Sequence, residues 1–150
     1  MAEIKVLAPL DGMVVELETL PDEVFAQKMV GDGLAIDPSG AVAVAPVAGT
    51  LVKLFSSGHA FGIATPEGVE LIVHIGLDTV ELAGQGFEKI AQEGQTVQAG
   101  TPIVRFDRAT LEGLDKVVLS PVVSTGRGTI VERATGTVQA GRDILFVLKV

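Results

Sequence analysis

Thr96-Val97-Gln98-Ala99-Gly100 recurs without a change as Thr137-Val138-Gln139-Ala140-Gly141, each copy with a glycine shortly before it and an apolar, strand-like run soon after. A second echo lies upstream. Ala8-Pro9-Leu10-Asp11-Gly12 is matched by Ala45-Pro46-Val47-Ala48-Gly49, and one residue beyond each comes a pair of strand formers, Val14-Val15 and Leu51-Val52. An identical pentapeptide in matching surroundings argues for related units and against a coincidence of common turn residues. There are too few copies for a solenoid, which buries its core by stacking many units in series. The expected fold is all-β: an antiparallel β-sandwich or barrel built from duplicated hairpin units.

The rest of the chain agrees. Ile4–Ala8, Met13–Leu17, Ala41–Val44, Thr50–Phe55, Val69–His74, Ile103–Phe106 and Ile144–Leu148 are short, rich in β-branched residues and bounded by glycine or proline, which reads as strands. Helix is confined to short turns, one after Gly86 over Phe87–Gln92 and one over Arg108–Asp115, the second limited by Gly113. No linker interrupts the sequence, so residues 1–150 are read as a single domain.

Composition removes several classes of function. The absence of cysteine excludes disulfides, thiolate metal sites and thiol nucleophiles. A net charge of −8 argues against nucleic acid and anionic membrane surfaces, both of which need clustered Lys and Arg. Apolar runs are broken by Gly, Pro or charge before any could span a bilayer, and Met1–Lys5 carries no cleavage-site pattern. A cytoplasmic protein without stable membrane insertion is expected.

Chemistry then falls to few side chains. With neither Cys nor Tyr present, His59 and His74 are the side chains whose ordinary pKa lies near neutrality. Strand alternation puts Val69, Leu71 and Val73 on one face of their strand and Glu70, Ile72 and His74 on the other. Gly76, Asp78 and Thr79 follow. His59 sits in the polar turn Ser56-Ser57-Gly58-His59, for which a surface position is the default.

Gly68-Val69-Glu70-Leu71-Ile72-Val73-His74-Ile75-Gly76-Leu77-Asp78-Thr79-Val80 resembles the phosphorylation-site signature of the glucose-type enzyme IIA proteins of the bacterial sugar phosphotransferase system. Gly58-His59-Ala60-Phe61 is similar to that family's auxiliary histidine motif. Val30-Gly31-Asp32-Gly33 and both Ala-Pro-x-x-Gly stretches match in family order. The resemblance implies a phosphocarrier. His74 would take a phosphoryl group from the small carrier HPr and pass it to a sugar-specific, membrane-associated enzyme IIB or IIBC. It implies that His59 faces His74 and hydrogen-bonds the phosphoryl oxygens. It also implies that Ser57, where the family usually has threonine, fixes the His74 tautomer. Phe25 and Phe61 would wall the site and meet the partner there, and Asp22 and Asp78 would flank an arginine of HPr. No cofactor is required, although zinc on His59 and His74 with a partner's carboxylate is an open expectation. So are a monomeric state and regulatory binding of other proteins.

Three rival readings remain at this point. A zinc-dependent hydrolase normally takes three protein ligands, and a third histidine is missing. A biotinyl- or lipoyl-type carrier needs a lysine at a hairpin tip, which none of Lys5, Lys28, Lys53, Lys89, Lys116 or Lys149 convincingly occupies. A non-catalytic binding module is the generic alternative.

Overall fold

Fourteen short strands and two short α-helices form the frame of the computed structural model, which describes residues 2–150. In chain order the strands are β1 (Glu3–Leu7), β2 (Gly12–Val15), β3 (Asp32–Pro38), β4 (Val42–Val44), β5 (Gly49–Leu54), β6 (Ala60–Ala64) and β7 (Val69–His74). They continue as β8 (Phe87–Lys89), β9 (Thr96–Val97), β10 (Pro102–Phe106), β11 (Ser120–Gly126), β12 (Thr129–Arg133), β13 (Thr137–Val138) and β14 (Ile144–Lys149). Helix α1 spans Glu23–Ala26 and α2 spans Arg108–Gly113.

All strand pairs are antiparallel. The largest sheet runs β13-β2-β3-β11-β7-β6-β5-β9, and two three-stranded sheets run β1-β14-β12 and β4-β10-β8. Read from its two ends, the large sheet matches itself: β13 with β9, β2 with β5, β3 with β6 and β11 with β7. The small sheets match in the same way. One unit, β4 to β10, is therefore contiguous, and its twin is split around it into β1–β3 and β11–β14. The pseudo-two-fold passes through the pair Val122–Val73, where equivalent residues face each other across β11 and β7.

The echoes of the sequence are the joints of this duplication. Gly100 N donates to Ala45 O at 2.8 Å, and Gly141 N donates to Ala8 O at 2.9 Å. The two Ala-Pro-x-x-Gly stretches also exchange bonds, Leu7 N to Pro46 O at 2.9 Å and Val44 N to Pro9 O at 2.8 Å. Their terminal glycines are dictated by close approach. A Cβ at Gly12 would stand 2.1 Å from the Asp37 carbonyl oxygen, and one at Gly49 would stand 2.2 Å from that of Ala64.

The main core lies between the sheets and includes Leu34, Ile36, Leu51, Phe61, Ile63, Leu71, Ile75, Ile103, Leu111 and Phe146. A smaller cluster of Leu17, Leu20, Phe25, Ala35, Leu77 and Val123 lies under the segment joining β2 to β3. Two local expectations are corrected. Phe87–Lys89 is strand, not a helical turn, because its backbone joins the ladder of β10. The strand expected over Met13–Leu17 ends at Val15 and gives way to a 3-10 turn at Leu17–Thr19.

Candidate functional site

His74 closes β7, paired with Ala60 across the sheet. Ile75 N donates to His59 O at 2.7 Å, which draws the two histidines together. Their ring centroids are 5.0 Å apart with planes at 74°. His59 is 2% exposed, contrary to the surface position expected of a polar turn, whereas His74 is half-buried.

Each ring is held by its Nδ1. His74 Nδ1–H donates to Gly76 O at 2.7 Å. A carbonyl only accepts, so the proton belongs to Nδ1 and Nε2 is left with its lone pair. That carbonyl points back at the ring because Gly76 adopts φ +75°, where an added Cβ would meet Thr79 Cγ2 at 2.7 Å and Val117 O at 2.9 Å. Ser120 Oγ accepts from Gly76 N at 3.1 Å, and Thr79 Oγ1 donates to Ile75 O at 2.6 Å, so the turn is pinned from both sides.

The expectation for Ser57 is corrected here. Its Oγ pairs with Nδ1 of His59, not with His74. The serine shares a turn with His59, and Gly76 already fills the corresponding place on His74. When the hydroxyl donates, His59 carries its proton on Nε2. The pair then presents one bare nitrogen and one N–H donor.

Burial, and then the neighbouring His74, depress the pKa of His59 to about 4. His74 is also lowered, by burial first, against the opposing pull of the Gly76 carbonyl and of the Asp22 and Asp78 charges. Both rings are therefore neutral at pH 7.

Phe25 stands 5.3 Å from the His74 ring and is largely buried. Phe55, missed from the sequence, stands edge-on to His59 at 5.1 Å and carries Lys53 Nζ 5.2 Å above its ring. An open depression of about 260 Å³ beside His74 is lined by Phe25, Val30, Phe55, Phe61, Ile72 and Glu70, among others. Phe61 is fully buried and forms part of its floor, so its expected contact with a partner is corrected: it supports the site from beneath. Asp22 is the N-cap of α1, accepting from Val24 N at 3.0 Å. Asp78 is exposed with φ +57° at the start of the 3-10 turn Thr79–Leu82. Among the described residues, no three His, Cys, Asp or Glu side chains gather so as to hold a metal ion.

Residues 4–130 match the family model for the phosphoenolpyruvate-dependent sugar phosphotransferase system, EIIA 1. The glucose-specific EIIA component of that system from Haemophilus influenzae is 46% identical over 149 residues, covering 98% of this chain and 90% of that protein. An N-acetylglucosamine-specific EIICBA component from Klebsiella pneumoniae is 44% identical over 146 residues, 95% of this chain but 22% of that longer protein. Among solved structures, glucose permease IIA from Mycoplasma capricolum superposes with a TM-score of 0.93 at 41% identity, over 99% of this chain and 97% of that one.

Proposed function

Since the chain belongs to the EIIA 1 family of the phosphoenolpyruvate-dependent sugar phosphotransferase system, phosphocarriers that pass a phosphoryl group to an EIIB component, we propose that His74 Nε2 is the atom that carries it. The observation that supports this most directly is the bond from His74 Nδ1–H to Gly76 O, which leaves Nε2 as a fixed lone pair. Nε2 attacks the phosphorus of a phosphohistidine on HPr. A new N–P bond forms as the old one breaks, and the donor imidazole keeps the electron pair. Such a transfer asks for positioning and charge stabilisation more than for acid–base chemistry. His59 Nε2–H, with Ser57 behind it, donates to the arriving phosphoryl oxygens. Phe25 and Phe55 limit water around the labile phosphoramidate.

Relatives of similar identity are named for glucose and for N-acetylglucosamine, which supports leaving the choice of sugar to the membrane component. The chain supplies at most two imidazole ligands, His74 through its bare Nε2 and His59 only after its Nε2 gives up the proton, short of the four ligands of a tetrahedral zinc. A zinc bridge would therefore take its carboxylate from a partner.

Incubation with HPr and the phosphoenolpyruvate-driven carriers is expected to add one phosphoryl group, with the label on His74. Protonation would fill the Nε2 lone pair, and the His74 pKa lies below the ordinary histidine value. The acceptance rate should therefore fall to half only below about pH 6.5, where an unperturbed histidine would already have lost half its activity. A half-loss there, or a label on another residue, overturns the assignment.

Asp22 and Asp78 set partner register in this reading, opposite a basic group of HPr. Rim charges govern encounter more than chemistry. Replacing both by Asn, which still allows the Asp22 cap, should lower the second-order rate several-fold at low ionic strength and flatten its salt dependence. The rate at saturating HPr should be largely unchanged. An unaltered second-order constant in quench-flow would make both aspartates solvated turn residues.

A further inference from the structure

We propose that Lys28, Asp32 and Arg133 form a clasp that positions the wall of the histidine site, holding the segment between β2 and β3 so that Phe25 stays against His74. That segment has little to hold it in place by itself. Its one α-helix has four residues, too short for stability of its own, and its anchorage is the small cluster around Phe25. At its exit Lys28 Nζ lies 3.2 Å from Glu18 Oε1 within the segment and 3.3 Å from Asp32 Oδ1 at the start of β3. Arg133, on β12, places Nη2 2.5 Å from Asp32 Oδ2 and donates from Nη1 to Gly33 O at 2.9 Å. One carboxylate thus ties the end of the segment, four residues upstream, to a strand 101 residues further along the chain.

One further fact singles out this network from ordinary surface pairs, which contribute little. Lys28 also closes the end of α1, its φ of +58° belonging to the helix cap in which Lys28 N donates to Phe25 O and Met29 N to Val24 O. The distinguishing fact comes from the duplication. The pairs Met13–Asp37 and Thr50–Ala64 are equivalent in the two units. Counting back along β3 and β6 from Asp37 and Ala64 makes Asp32 the counterpart of His59. In one unit this position carries a histidine of the site. In the other it carries the carboxylate of the clasp that braces it.

The proposal rests on the reading of His74 as the phosphoryl acceptor only for its consequence in transfer, so its test uses the unphosphorylated protein. Lys28→Met and Asp32→Asn are compared with Arg108→Met, which removes a similar surface network to Asp37 and Glu112 away from the segment. Amide exchange at Ala26, Gln27 and Met29, all bonded within the segment, should quicken about 3- to 10-fold in the two clasp variants, the effect of losing one or two such pairs. Exchange in β7 and β11 should not change. The ring-current shift that Phe25 imposes on the His74 ring protons, read by NMR at fixed pH, should shrink as Phe25 moves off the imidazole it now faces at 5.3 Å. Lys28→Arg should keep both readouts at their wild-type values, and Arg108→Met should alter neither. Faster exchange with an unmoved ring shift would reduce the network to a structural tie and overturn the proposal. Unchanged exchange in both clasp variants would overturn it as well. If the clasp variants behave as expected but the wild-type chain accepts no phosphoryl group, the proposed function fails and the clasp stands.

Discussion

His74→Ala abolishes stable phosphorylation, with a loss of acceptance of at least roughly 10⁴-fold, the scale seen when an enzyme loses its nucleophile. The variant should fold. His74 is half-buried at the end of its strand, and the ladders on both sides of β7 are made by backbone groups that the substitution leaves alone. His59 is a poor replacement for reasons already built into its surroundings. It is 2% exposed, and its Nδ1 is engaged by Ser57. When that hydroxyl donates, Nε2 carries a proton and has no lone pair to offer. Incubation with the phosphoenolpyruvate-driven carriers followed by intact mass measurement would read the outcome. Acid-labile phosphate retained by His74→Ala would move the acceptor elsewhere and leave the family assignment without its proposed site.

The strand that matters most was the easiest to read. Val69–His74 alternates strictly, and the structure gives β7 the same bounds with Val69, Leu71 and Val73 buried. Strands β3 and β11 were missed because their ends look like turns. Asp32-Gly33 opens one and Pro38 closes it, while Ser120-Pro121 opens the other. Both lie inside the large sheet, paired on both sides, so tertiary pairing outweighs local preference. The helical reading of Phe87–Gln92 failed for the same reason, since a three-residue strand is defined by its neighbour β10.

Duplication was legible in the echoes, but interleaving was not. A repeat shows that two stretches are alike without showing that one unit has been split to enclose the other. At the site, the signatures named His59, His74 and Ser57, yet the hydroxyl's partner depends on which ring nitrogen it meets in space. Ser57 and His59 are two residues apart, and that nearness was the available clue. The part played by Gly76 was hidden too. A glycine after a strand reads as a turn, and only its φ of +75° shows that it turns a carbonyl onto His74. In the sequence Phe55 is the last residue of the strand-like run Thr50–Phe55. Its contact with His59 follows from the chain reversal between β5 and β6, which only the register of that hairpin reveals.

His59→Gln should separate the two halves of the reaction. Acceptance requires a lone pair on His74 Nε2, which the Gly76 carbonyl secures whatever stands at position 59. The glutamine amide can still donate one hydrogen bond to the arriving phosphoryl group, so acceptance should stay within about tenfold of the wild-type rate. Release to the EIIB component is more demanding, because charge on the transferring group has to be stabilised as the His74 N–P bond breaks. The pKa of His59 is about 4 while its neighbours are burial and a second imidazole. A phosphoryl dianion on His74 would pull it upward, since an opposite charge at that distance favours the protonated ring. His59 can then supply a full positive charge at the moment it is needed, which an amide cannot do. Onward transfer should therefore fall by roughly 10²- to 10³-fold, the usual cost of losing one well-placed donor to a developing charge. Single-turnover quench-flow, run separately with phospho-HPr and with the EIIB acceptor, measures the two steps apart. If acceptance is lost as completely as in His74→Ala, His59 belongs to the capture of the phosphoryl group and the division of labour is wrong.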